Sequence, residues 1–378
     1  MSNATEKNTI KVLHVIGAMD RAGAETMIMN YYRAIDRNEI QFDFLVHTDR
    51  HCDYDDEIEA LGGKIYRLPC FTGLNYLQYK TACRRFFAEH PEIDIVHGHI
   101  GSCASVYLPE AKRNGKITIC HSHRSKGSLS PAEMAFRLAT FQNKRSADYY
   151  MACSEQAGRD RFGSNMVEQD NFFILKNAID LERFDSTEEQ RLAAKKLLGI
   201  SEKPVFGHVG RFTEAKNHPF LIETFRKITE TLPDAQLLLV GRGENEGEIR
   251  KLVEEEGLGS SIHFLGIRED VSTVMAAMDV FLFPSLWEGL GIVAIEAQAS
   301  GLPCVVSDGV PSEAAILPST KRLSLTSATE WAQEALACLD ADRPKSEEIR
   351  ASLTAHGYEI NFAAAKLTQT YRNLKCQI

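Results

Sequence analysis

The 378 residues carry 43 Lys and Arg against 52 Asp and Glu, a formal net charge of -9, and 44% of them are hydrophobic. That length exceeds one ordinary core and predicts two domains, and the acidic balance excludes a general nucleic-acid binder. Nine scattered cysteines form no C-x-x-C pair, which predicts a reduced, cytosolic protein with neither a disulfide framework nor a zinc site.

The opening "MSNATEKNT" is polar and reads as no signal peptide, and no stretch reaches the ~20 apolar residues of a membrane span. From there β-rich runs alternate with helical patterns: "IKVLHVI" (10–16), "FDFLVH" (42–47), "KIYRL" (64–68), "DIVHGH" (94–99), "KITICH" (116–121), "YYMACS" (149–154) and "FFILKN" (172–177). Such alternation predicts a parallel sheet covered on both faces by helices. The polar, helical stretch 177–200 then links to a second series: "PVFGHVG" (204–210), "AQLLLVG" (235–241), "SIHFLG" (261–266), "DVFLFP" (279–284) and "PCVVS" (303–307). Beyond about 327 the chain reads as helices. The expectation is two facing, doubly wound α/β domains, with ligands in the cleft beyond the carboxyl ends of their strands.

Those strand ends hold polar groups with no evident structural use. After the first strand, "GAMDRAGAET" (17–26) turns into a helix, with Gly23 near its start. This is a plain βα turn or an anion contact; the G-x-G-x-x-G dinucleotide fingerprint is absent. "GHVGRFTEAKNHPFL" (207–221) puts Arg211 and Lys216 directly after a strand, which suits a diphosphate better than bare solvent. "FPSLWEGLGIVAIEAQASGLP" (283–303) puts Glu288 and Glu296 in an otherwise apolar run. Gly289 and Gly291 there permit close backbone approach, and Glu296 reads as lying near a helix start, where the dipole favours a carboxylate. The two acids suit vicinal sugar hydroxyls or, alternatively, acid/base work on a glycosidic bond; the nearby cations point to a phosphorylated ligand.

Two histidine pairs, "HGH" (97–99) and "HSHR" (121–124), end strands of the first domain. Alternation puts both members of a pair on one side of the strand. No acid or cysteine is interleaved, so hydrogen bonding is preferred to metal binding, with His121 placed to touch a sugar. The D-x-D runs "DYD" (53–55) and "DAD" (340–342) read as a helix cap and a helix end, not as metal sites.

Together "GAMDRAGAET", "DIVHGH", "HSHR", "KNAIDLERF", "VGRFTEAKN" and "PSLWEGLGIVAIEAQASGLP" resemble the retaining glycosyltransferases of family 4, which have the two-domain GT-B fold. The last segment resembles that family's E-x₇-E motif. Among its members the chain most resembles bacterial exopolysaccharide and capsule enzymes. The resemblance covers nearly the whole chain. It implies an N-terminal acceptor domain over 1–180, a donor domain over 181–357, and a last helix, 358–378, crossing back onto the first.

The resemblance also implies roles. Glu288 meets donor-sugar hydroxyls and Glu296 the ribose. Arg211 and Lys216 hold the diphosphate in place of a metal, and His121 meets the transferred sugar. The backbone of Gly289, Leu290, Gly291, Ile292 and Val293 faces sugar and phosphate, while His263 and Phe264 border the base. Gly23 belongs to a first loop in which Ala22 stands where the family has a second glycine, so close approach at Ala22 is in question.

On this reading the donor is a nucleotide-sugar, a UDP-sugar foremost, and the acceptor a saccharide, free or lipid-linked. No metal or other cofactor is required and no nucleic acid is bound. Competing readings are a nucleotide-sugar epimerase or hydrolase of the same fold, and a catalytically silent sugar-nucleotide binding protein. Residues 111–145 contain eight basic residues and one acid, Glu133. With a lipid-linked acceptor, this predicts a cytoplasmic protein that touches an anionic membrane peripherally at its inner face.

Overall fold

The computed structural model describes residues 9–123, 146–200, 203–341 and 343–376. The chain divides into two units, Met1–Ala178 with Ile360–Ile378, and Ile179–Glu359.

In the first unit the order is β1 (Ile10–Val15), α1 (Gly23–Ala34), β2 (Ile40–Val46), α2 (Asp55–Ala60), β3 (Ile65–Arg67), α3 (Tyr76–Glu89), β4 (Ile95–Gly98), α4 (Ala104–Arg113), β5 (Ile117–Ser122), β6 (Tyr149–Ala152), α5 (Glu155–Phe162) and β7 (Phe172–Ile174). The sheet runs β3-β2-β1-β4-β5-β6-β7, and all its pairings are parallel. Successive strand residues serve opposite faces. Val12, Phe42 and Phe44 belong to one buried cluster, and Leu13, Val15 and Leu45 to another. Burial on both faces is why these strands read as continuous apolar runs.

The second unit contains α6 (Glu188–Leu197), β8 (Val205–Val209), α7 (His218–Thr231), β9 (Gln236–Val240), α8 (Glu246–Glu255), β10 (Ile262–Gly266), α9 (Val271–Ala276), β11 (Val280–Phe283), α10 (Ile292–Ala299), β12 (Cys304–Ser307), β13 (Thr320–Leu323), α11 (Ala328–Leu339) and α12 (Ser346–Ala355). Its sheet order is β10-β9-β8-β11-β12-β13. Helix α6 starts at a capping box, in which Thr187 accepts from the Gln190 amide while the Gln190 side chain accepts from the Thr187 amide, so two orphan donors are satisfied reciprocally. Strand β13 is absent from the sequence reading. It is an edge strand whose Lys321 and Arg322 are exposed, so it lacks the apolar alternation that marks the others.

The last helix, α13 (Ile360–Lys375), belongs to the first unit. It packs on α1 through Ile360, Ala363, Ala364, Leu367, Tyr371 and Leu374. Phe362 of this helix is 59% exposed. Helical spacing from Leu367 and Tyr371 selects Ile360, Ala363 and Ala364 for the packing face.

Of the basic residues expected to meet a membrane, Lys112 pairs with Asp148 and Arg113 with the buried Glu110. Lys116 is buried and donates to the carbonyls of His90 and Pro91, both at 2.9 Å. Arg124, Lys126, Arg137, Lys144 and Arg145, with Met134, Leu138 and Phe141, lie outside the described residues. No helix among the described residues is long and apolar enough to cross a membrane.

Candidate nucleotide-sugar site

In each unit the strand order reverses at one pair of neighbours, β1 and β4 in the first and β8 and β11 in the second. Loops leaving such a pair diverge, which opens a crevice at their carboxyl ends. In the second unit the β8 loop carries Arg211 and Lys216, and the β11 loop carries Ser285 and Glu288. The sequence therefore delivers Arg211, Lys216, Ser285 and Glu288 to the switch point of this sheet.

Backbone geometry ties the two loops together. The Leu286 amide donates to the Ala215 carbonyl at 2.8 Å, and the Glu288 amide donates to the Gly309 carbonyl at 3.0 Å. A Cβ on Gly309 would lie 2.3 Å from the Leu286 carbonyl oxygen, so the second contact requires glycine. Asn217, between the turn holding Lys216 and α7, has φ 52° and is the one positive-φ residue other than glycine among the described residues. Asparagine tolerates this region better than most side chains, and the reversal there fixes where Lys216 emerges.

The four ionisable groups are held in different ways. Lys216 Nζ lies 2.5 Å from Glu288 Oε1 and 4.5 Å from the centre of the Phe283 ring. The Ser285 hydroxyl donates to the same Glu288 oxygen at 2.7 Å. Both charged side chains are mostly buried, so each supplies the partner that the other's desolvation demands. Arg211 is exposed, and its guanidinium makes no hydrogen bond or ion pair among the described residues.

Glu296 differs from the expectation. Helix α10 begins at Ile292, after Gly291 at φ 81°, so Glu296 sits in its second turn, beyond the reach of the dipole. The residue is only 9% exposed, and its carboxylate has no hydrogen-bond partner among the described residues. Burial pushes its pKa up to about 7 against the opposing charge of Arg183. A desolvated acceptor of this kind suits paired hydroxyl donors. The Gly289–Val293 segment enters α10 at Ile292, and in its first turn the Ala294 amide donates to the Gly291 carbonyl at 2.9 Å.

Phe264 lies between the Phe212 ring, at 5.8 Å, and the Arg250 guanidinium, at 4.0 Å. His263 Nε2 is 2.7 Å from Oε1 of Gln236. Gln236 is the first residue of β9, so this bond draws His263 toward the amino end of the strands and away from Arg211, Lys216 and Glu288. Gly23 is exposed at the start of α1, and a Cβ there would meet nothing. Ala22 has extended backbone, φ -139° and ψ 175°. The fold itself therefore demands glycine at neither position.

In the first unit the two histidine pairs join His14 of β1 in one buried network. His14 Nδ1 is 2.9 Å from His99 Nε2, and His99 Nδ1 is 2.7 Å from His123 Nε2. His97 Nε2 is 3.1 Å from His121 Nδ1, and His97 Nδ1 is 2.7 Å from the Tyr371 hydroxyl. As alternation requires, His97 and His99 share a side, their rings 4.6 Å apart and 22° from parallel. Burial lowers all five pKa values, to about 3 at His14 and about 4 at His123. The rings are therefore neutral at physiological pH.

Two triads, His14/His97/His99 and His99/His121/His123, bring ligand atoms within 4.8 Å of one another. They offer imidazole nitrogens alone, and several of these already bond to each other. The D-x-D acids are likewise engaged: Asp53 accepts from the Arg21 amide and Asp55 from Arg67, both at 3.0 Å. Asp340 caps α11, and Asp342 lies outside the described residues. The sequence reading gave no site role to Asn217, Gly309, His14 or Tyr371, whereas Ser285 is visible there in the strand-end run "PSLWEG".

Residues 21–183 match the family described as Glycosyltransferase Family 4, and residues 190–349 match Glycosyl transferases group 1. A Bacillus subtilis (strain 168) protein, "Putative glycosyltransferase EpsF", is 36% identical over 98% of this chain and 97% of its own. An Escherichia coli protein, "UDP-Gal:alpha-D-GlcNAc-diphosphoundecaprenol alpha-1,3-galactosyltransferase", is 34% identical over 36% of each chain. Among solved structures, Anabaena Alr3699/HepE in complex with UDP and glucose superposes with a TM-score of 0.78. It is 19% identical and the match covers 96% of this chain and all of that one.

Proposed function

The chain belongs to the family 4 glycosyltransferases of GT-B fold, and from that premise we propose a retaining enzyme that moves a sugar from a UDP-sugar to a lipid-linked saccharide in exopolysaccharide or capsule assembly. The observation that carries this reading is the set that follows the β8 and β11 strands: Arg211, unpaired among the described residues, the Lys216–Glu288 pair and the buried Glu296 carboxylate. A diphosphate answers the two cations, a ribose answers Glu296, and a sugar carrying vicinal hydroxyls answers Glu288. The donor and the lipid diphosphate acceptor in the Escherichia coli relative's name are of the same chemistry. His121 is proposed as a contact of the transferred sugar.

Departure of a nucleoside diphosphate builds charge on its β-phosphate. Arg211 and Lys216 oppose that charge with preorganised cations, the largest single contribution available to such a reaction. The leaving phosphate helps to deprotonate the acceptor, so no side chain is an obligatory base and no metal is needed. A lipid-linked acceptor brings the protein to an anionic bilayer surface, reversibly and with salt sensitivity.

Arg211→Ala and Lys216→Ala should each weaken UDP binding by more than tenfold, in line with the ~2–5 kcal/mol lost when one partner of a desolvated charge pair is removed. Glu296→Gln should weaken UDP itself, through the ribose. Glu288→Gln frees Lys216 for the diphosphate, so it should spare UDP and mainly weaken the UDP-sugar. Calorimetry with both ligands checks all four variants, and equal losses for the two glutamates would refute their separate roles.

Transfer should persist in EDTA; loss restored by Mn²⁺ would contradict metal independence. Sugar turnover undiminished without acceptor would instead favour an epimerase or hydrolase. Sedimentation should recover the protein with anionic vesicles at low salt and not with neutral ones; equal recovery with both would remove the membrane part.

A further inference from the structure

His121 is buried, and its Nε2 has no hydrogen-bond partner among the described residues. Its other nitrogen, Nδ1, is 3.1 Å from Nε2 of His97, whose Nδ1 is 2.7 Å from the hydroxyl of Tyr371. His97 and Tyr371 are fully buried, and Tyr371 comes from α13, the helix that returns from the far end of the sequence.

Two arrangements of protons fit these distances. If His97 donated to the tyrosine oxygen, the Tyr371 proton would be left without an acceptor and His121 would end in a bare Nε2 lone pair. If Tyr371 donates to His97 Nδ1, then His97 Nε2–H donates to His121 Nδ1, and the single unsatisfied donor is His121 Nε2–H. The second arrangement leaves fewer buried groups unmade, and each such group is costly.

We infer that Tyr371, acting through His97, holds His121 in its Nε2–H tautomer, so that His121 meets substrate as a neutral hydrogen-bond donor and not as a base. Tyr371 and His97 are then positioning residues, in the way that a buried partner sets the tautomer of a catalytic imidazole. The consequence for transfer rests on the reading of His121 as a sugar contact. A donor there suits a hydroxyl or phosphate oxygen, which agrees with a reaction that takes its base from the leaving phosphate.

Two-bond ¹H–¹⁵N spectra of the full chain labelled in histidine report the tautomer directly. The protein itself should show His121 protonated at Nε2; protonation at Nδ1 would overturn the relay without any variant. Tyr371→Phe keeps the ring and removes the donor. It should populate the other tautomer, with kcat falling by the same factor as the Nε2–H population and the donor KM unchanged. An unaltered tautomer ratio in a folded Tyr371→Phe protein would also overturn the relay. His121→Ala separates the two layers: it should cripple transfer, and full activity would remove the sugar contact on which the functional consequence depends.

Discussion

A parallel sheet whose strands are laid down outward from the middle must reverse direction once, and at that reversal no crossover helix can fill the space above the strand ends. The rest of the candidate site depends on this constraint. In the second unit it falls between β8 and β11, and the residues that follow those two strands are Arg211, Lys216, Ser285 and Glu288. The Leu286–Ala215 backbone bond and the glycine at 309 convert neighbouring loops into one scaffold. Polar side chains on that scaffold are positioned by main chain, which is what a site must have if a misplacement of about 1 Å is costly.

The charges at this scaffold are held in three ways. Lys216 and Glu288 neutralise one another, Arg211 stands in solvent, and Glu296 is desolvated with little compensation. A nucleotide-sugar matches all three at once: it brings anions to the cations and hydroxyl donors to the carboxylates. The Lys216–Glu288 contact also keeps both groups satisfied without ligand, so that neither stands as an uncompensated charge. The first unit handles its polar groups differently. Its five histidines are kept neutral by burial and bond in two sets, His14–His99–His123 and His97–His121, which leaves directed nitrogens, not charges.

Much of this was legible in the sequence because both-face burial makes each central strand an apolar run, and because the switch-point residues follow such runs directly. What escaped has physical causes. Strand β13 is an edge strand with Lys321 and Arg322 exposed, so it has no apolar signature. Glu296 reads in the sequence as lying near the helix start, yet α10 begins at Ile292, directly after Gly291, so Glu296 is its fifth residue and falls in the second turn. The bond of His263 to Gln236 depends on the register between β9 and β10, which periodicity does not encode. The histidine network is hidden for the same reason. His14 pairs in register with His97 across parallel strands, while Tyr371 reaches His97 from 274 positions away. Spacing along the chain reports which side a residue faces, not which residue it meets there.

The buried Glu296 carboxylate is proposed as the ribose acceptor of a nucleotide site. Free, its pKa is raised to about 7 by burial, so near pH 7 it is partly protonated. Hydroxyl donors favour the ionised form and must lower that pKa on binding, so binding expels a proton and weakens as pH falls below 7. Calorimetric titration of UDP at pH 7 in two buffers of different ionisation heat measures the protons released. The account predicts release by the parent protein and a clearly smaller release by Glu296→Gln. Equal release from the two proteins would contradict it.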